Sequence, residues 1–195
     1  MAEFCALTDN ILNQCGDDFP LAGLGNIYLA PVRQLDDSAT VFGTTTHDIT
    51  AVALQSGGFF MQIEGKVSTK DLASENAKDG GGNVHNITVN CMIPNLDKDK
   101  SFLMEEYGKQ KLVIIAELYE LAASGNRKAV VIGLDNKMGS DAGATFAFNT
   151  VSEAEQGGAN GYNATITAVQ GESVRFYTGA ITVEDGATGT TVNLG

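Results

Sequence analysis

The sequence predicts a mainly β protein with one helix, and three observations carry that prediction. Thr, Val and Ile are gathered into short alternating runs; 23 glycines punctuate the chain against three prolines and no tryptophan; and one stretch, 97 to 111, has a helical period instead. β-Branched residues pack well on a pleated, half-buried surface, and frequent glycine marks the turns between short strands. At 195 residues and 43% hydrophobic content the chain can bury one core, so a single domain over 1–195 is expected.

Residues 1 to 25 read as an irregular N-terminal arm, with Cys15-Gly16-Asp17-Asp18 and Leu21-Ala22-Gly23-Leu24-Gly25 as turns. Asn26 to Val32 is the first strand, ended or pushed to an edge by Pro31. His47–Leu54 and Phe59–Val67 read as two strands joined into a hairpin by the turn Gln55-Ser56-Gly57-Gly58. In the second of them, Phe59, Met61, Ile63 and Val67 share one face, and Phe60, Gln62, Glu64 and Lys66 the other. Residues 68 to 83 have almost no apolar content and end in Gly80-Gly81-Gly82-Asn83; they read as a long loop able to reach a neighbouring subunit.

The centre of the chain is residues 84 to 119. Ile87, Val89, Cys91 and Ile93 alternate with Asn86, Thr88 and Asn90, the period of a half-buried strand. A helix is then expected over Asp97–Lys111, with Phe102, Leu103 and Tyr107 as its apolar stripe, lying over the sheet and shielding its centre. Asp97 and Asp99 near its start and Lys109 and Lys111 near its end suit the helix dipole. Leu112-Val113-Ile114-Ile115-Ala116 is apolar on both faces, which predicts a strand covered on both sides. Residues 117 to 134 form a second hairpin around Ala123–Arg127. Residues 135 to 160 read as irregular apart from Thr145–Phe148, Asn163–Val169 and Val174–Val183 as the last two strands, and 184–195 as a Gly/Thr-rich mobile tail.

Catalytic signatures are not evident, and a non-enzymatic protein without a cofactor or metal is expected. Gly80-Gly81-Gly82 lacks the lysine and hydroxyl residue of a phosphate loop. Asp97-Lys98-Asp99-Lys100-Ser101 lacks the glycine and distal glutamate of a calcium loop. His47, His85 and Cys91 form a metal cluster only if their strands pair, and no fourth ligand is visible. Ser56 and Ser124 lack the flanks of a nucleophile elbow. Cys5, Cys15 and Cys91 have no close-spaced pair, so no disulfide framework is expected. The formal net charge of −12 opposes binding to phosphate backbones. It reads either as a solubility device or as a surface along which DNA passes without sticking. The N-terminus has no signal-like run and no stretch approaches the ~18 apolar residues of a membrane span, so assembly in the cytoplasm, away from membranes, is expected.

Several segments in order carry a resemblance: Cys5-Ala6-Leu7-Thr8 with Cys15; Asp48-Ile49-Thr50-Ala51-Val52; Leu112–Ile115 leading to Val131–Leu134; and Asn149-Thr150 followed by Asn160–Ile166. Over roughly residues 5 to 170 the chain resembles phage major tail tube proteins, virion proteins found especially in phages of Bacteroidetes-type hosts. The resemblance implies an antiparallel β-sandwich or barrel with one flanking helix. Copies would form stacked hexameric rings, meeting other tail or neck proteins, around a channel for which DNA is passing cargo. The long loop and the tail depart from a minimal tube protein and leave a neck, ring or capsid decoration role open, as well as another β-sandwich binding module. Within that reading the interface loop carries Lys70, Asp71, Leu72, Asn76, Gly80, Gly81 and Gly82. The wall facing the lumen, which must be neutral or acidic, carries Gln62, Glu64 and Lys66 on one strand and Asn86, Thr88 and Asn90 on the other.

Overall fold

The computed structural model describes residues 23–43, 46–66, 69–79, 82–122, 124–136, 138–153, 160–184 and 189–195. The chain runs through β1 (Leu24–Pro31), β2 (Val41–Phe42), β3 (Asp48–Ala51), β4 (Met61–Ile63), β5 (Asp71–Asp79), β6 (Gly82–Pro94), α1 (Lys98–Gly108), β7 (Leu112–Leu121), β8 (Arg127–Ile132), β9 (Thr145–Ser152), β10 (Asn160–Gln170), β11 (Arg175–Tyr177), β12 (Ala180–Val183) and β13 (Thr190–Asn193). The protein is mainly β with a single α-helix among the described residues, as the sequence predicts.

The strands form a seven-stranded sheet in the order β2-β3-β11-β8-β7-β1-β4, a four-stranded sheet in the order β5-β6-β10-β9, and a ribbon of β12 and β13. Every pairing is antiparallel except β3 with β11. The two sheets face each other across one core, to which β7 gives Leu112, Ile114 and Ala116, β6 gives Ile87, Val89 and Cys91, and β10 gives Ala164 and Ile166. The far side of the seven-stranded sheet carries a second core, where Val113, Ile115, Tyr28 and Val131 meet Phe60, Ile181, Val183 and Leu194. The continuous apolar run 112–116 is thereby explained: all five residues are fully buried because successive side chains enter different cores. Full burial of one such side chain stabilises the fold by roughly 1.5–3 kcal/mol.

Several expectations are corrected. The 68–83 loop is mostly sheet, since β5 pairs with β6 from Asp71↔Asn90 to Asp79↔Gly82. Its sequence lacks an apolar period because the outer part of this hairpin has solvent on both faces; Ser74, Asn76 and Lys78, on the core side, are as exposed as Glu75. The turn at Gln55–Gly58 exists, closed by Gly58 N–H to the Gln55 carbonyl, but the strands it joins do not pair. β3 and β4 lie near opposite ends of the seven-stranded sheet, and β4 pairs with β1. The strand ends at Ile63, and Phe60 packs in the second core while Ile63 packs in the first.

The helix starts one residue later than expected because Asp97 is its cap, accepting from the backbone N–H of Asp99 (2.8 Å) and Lys100 (3.2 Å). Its buried residue is Met104, with Tyr107 half-buried one turn on, whereas Phe102 and Leu103 are exposed. The helix packs on β9, placing the Tyr107 ring edge-on to Phe146 at 6.1 Å. The centre of the seven-stranded sheet is covered by the four-stranded sheet and not by the helix. The expected strand 174–183 breaks at Thr178-Gly179 into β11 and β12, which belong to different sheets. The tail is held rather than free: β13 pairs with β12, Leu194 is buried, and Gly195 N–H bonds to the Arg127 carbonyl at 3.0 Å.

Candidate functional site

The four-stranded sheet buries one face only. Because Ile87, Val89, Cys91, Ala164, Ile166 and Phe146 point to the core, strand alternation sends Asn86, Thr88 and Asn90 of β6 outward. Register places Glu75, Ala73 and Asp71 of β5 and Val169, Thr167 and Thr165 of β10 beside them, with Thr145, Ala147 and Asn149 of β9 beyond. Along one row, Thr165 Oγ1 donates to Asn90 Oδ1 (3.1 Å) and Asn90 Nδ2 donates to Asp71 Oδ2 (3.3 Å). The Thr145 and Thr167 hydroxyls meet at 2.8 Å in the next. Among the described outward positions of this sheet there is no Lys or Arg, and Asp71 and Glu75 supply negative charge.

Both edges of the sheet are long. β5 has nine residues and β9 eight, and neither pairs with a further strand among the described residues. The edges of the seven-stranded sheet are β2 with two residues and β4 with three. A long unpaired edge presents a row of backbone donors and acceptors to another strand, and a short one does not.

The residues expected at an interface or lumen therefore separate. Asp71 lies on the outward face, and Asn76 is exposed on the outer part of the hairpin. Gly82 opens β6, and Gly80 and Gly81 lie outside the described residues. Lys70 and Leu72 are internal: Lys70 is buried and donates from Nζ to the Gly25 carbonyl, and Leu72 packs against the first core. The two wall strands face opposite ways. Gln62 is opposite Tyr28, which belongs to the second core, so Gln62 looks away from the face that carries Asn86, Thr88 and Asn90. Glu64 and Lys66 follow β4 and line a cleft of about 620 Å3 with Asn95, Lys100, Leu103 and Tyr107. A single wall formed by both strands of one copy is excluded by this geometry.

His47 and His85 belong to different parts of the fold. His47 Nε2 is 2.9 Å from Ser173 Oγ, whereas His85 is in β6 opposite Gln170 and Asn76. Cys91 faces the core, where burial pushes its thiol up to about 11. Cys5 and Cys15 lie outside the described residues. Among the described residues no three His, Cys, Asp or Glu side chains gather as a metal site, and no helix is long and apolar enough to cross a membrane.

A polar cluster escaped the sequence reading. Glu117 is buried near the end of the apolar run of β7, where Tyr28 Oη donates to its Oε1 at 2.8 Å and Asn26 N–H to its Oε2 at 3.2 Å. Burial, then the hydrogen bond to Glu117, pushes the Tyr28 phenol up to about 12. Arg127 reaches Glu117 Oε2 at 3.5 Å while its guanidinium lies 5.1 Å from the Tyr119 ring centroid. A lone charge following Leu112–Ala116 was the available signal. Elsewhere Arg175 clamps Glu172 through Nε (2.7 Å) and Nη2 (2.9 Å). Compared with protein-family models, with curated proteins and with solved structures, the chain matches none.

Proposed function

We propose that the chain is a structural virion subunit of the phage tail tube kind, whose copies join edge to edge into stacked rings around a channel that conducts DNA. The observation that supports this reading best is the four-stranded sheet, whose two long edges are open and whose described outward face has no cation. A channel wall must confine a polyanion without holding it, and each Lys or Arg on the wall would bind phosphate by releasing counterions. Amides, hydroxyls and a few carboxylates meet that demand. Joining β5 of one copy to β9 of the next would satisfy both edges and leave none exposed. With strands about 4.8 Å apart and tilted about 40°, six such sheets close at a backbone diameter of about 50 Å, which admits a duplex. Three would close at about half that, too narrow for a duplex once side chains are added.

The test is sedimentation and negative-stain imaging of the purified full-length chain over a concentration series. Stacked rings with a central hole are expected. Rings that never stack would favour a neck or ring role, and a monomer at every concentration would overturn the proposal.

A further inference from the structure

Beyond ring formation, and independent of it, the cluster around Glu117 opens onto a pocket of about 720 Å3 lined by Gly25, Asn26, Lys70, Glu117, Tyr119, Arg127, Asn193 and Leu194. Its charges do not balance. Lys70 is 7% exposed, yet the acceptor its ammonium finds is the main-chain carbonyl of Gly25, and it joins no ion pair among the described residues. Burial pushes the Lys70 pKa down, and the attraction of Glu117 and Glu64 offsets that only in part, so the buried ammonium is left short of negative charge. The one carboxylate in the pocket, Glu117, is already occupied by Tyr28, the Asn26 N–H and one arm of Arg127. The rest of the Arg127 guanidinium lies against Tyr119, which fixes its plane, and 42% of the side chain remains accessible.

We propose that this pocket binds a small oxyanion, a carboxylate or phosphate group, held between the Lys70 ammonium and the Arg127 guanidinium. The guanidinium offers a planar fork that matches either group, and the ammonium offers a point charge at the buried end. Asn193 lines the pocket from β13, with an amide able to donate to a third oxygen. Gly25 keeps the space open, since a Cβ there would stand 2.5 Å from Arg127 Nη1 and 2.9 Å from Glu117 Oε2. The local excess of positive charge stands out in a chain of formal net charge −12.

The experiment is calorimetric titration of the full chain with inorganic phosphate and, separately, with citrate, at an ionic strength held constant with chloride. Saturable heat is expected for at least one of them, and which one saturates separates phosphate from carboxylate recognition. Arg127→Gln should weaken binding about tenfold and Arg127→Lys less, because a charged hydrogen bond is lost in the first and only its fork in the second. Asn193→Ala, remote from the Glu117 network, should weaken it about threefold. Failure of both anions to saturate the wild type, or equal saturation in the wild type and all three variants, would overturn the proposal.

Discussion

β6 and β7 are both interior strands, each hydrogen-bonded to a neighbour on either side, yet they are written in different patterns. β7 is apolar without interruption from Leu112 to Ala116, and β6 alternates from Asn86 to Cys91. The difference lies in what covers them. The seven-stranded sheet has a core on each face and, among the described residues, edge strands only two and three residues long. The four-stranded sheet has one bare polar face and edges of nine and eight residues. One sheet is scaffold, and the other is surface and edge presented by that scaffold.

The largest test of this contrast removes packing from the scaffold. Ile114→Ala should cost about 3–4 kcal/mol and lower the unfolding midpoint by about 10 °C, whereas Thr88→Ala on the bare face should stay within about 0.5 kcal/mol. Equal losses in the two urea titrations would erase the distinction between the sheets.

Next in size is the phenol of Tyr28 in the second core. Its folded pKa is raised to about 12 from an ordinary value near 10, burial being the first cause. The stability that this shift contributes is fully present below pH 10 and is lost as pH rises through 12. Tyr28→Phe should remove that part of the alkaline loss in unfolding measured from pH 8 to 12. A smaller effect of opposite sign belongs to Glu172. Burial raises its pKa, but the hydrogen bonds from Arg175 and the Asn136 N–H outweigh it, so the carboxyl sits below the usual range. Its contribution is present above the ordinary glutamate pKa and disappears as pH falls through the folded value. Glu172→Gln should lower stability at pH 7 by about 1–2 kcal/mol and flatten the acid limb.

The surface sheet should respond in function while its stability hardly moves. Shortening the hairpin by removing Asn76–Asp79 and Gly82–His85 keeps the pairing Glu75↔Asn86 and takes away the exposed Asn76, Lys78 and Asn83. The unfolding midpoint should fall by no more than about 2 °C, and rings should no longer form; normal rings in micrographs would show that this length of edge is unnecessary. Thr88→Lys should be the gentlest to the fold. On the tail-tube proposal it adds six cations to each layer of a hexamer, so particles carrying it should eject DNA slowly at low salt and recover as the Debye length shrinks. Ejection unchanged at low salt would mean that β6 does not face a lumen.

Much of the fold is legible because burial on one or both faces writes itself directly into side-chain period. The alternation of residues 84–93, the two-faced run 112–116 and the hairpin that returns at Ala129–Ile132 all read correctly for that reason. The outer half of β5 could not be read. Its strand is made by the backbone ladder to β6, with no core beneath to impose a period, so Ser74-Glu75-Asn76 looks like loop. The grouping of the wall candidates could not be read either: Gln62 and Asn86 both alternate with apolar neighbours, but alternation does not say which core those neighbours enter.

The sequence by itself determined that this is a mainly β chain with one helix, a strand buried on both sides and an acidic balance, because composition, period and charge are properties of neighbouring residues. Only the tertiary structure decided that β3 and β4 part after a good hairpin turn, that the end of the chain is strapped to β12, and that Lys70, Glu117 and Arg127 share one pocket. Those outcomes depend on pairings between residues far apart in the chain, such as Phe176 with Asp48. Their free energy comes from which surfaces are covered together, and no local pattern encodes that choice.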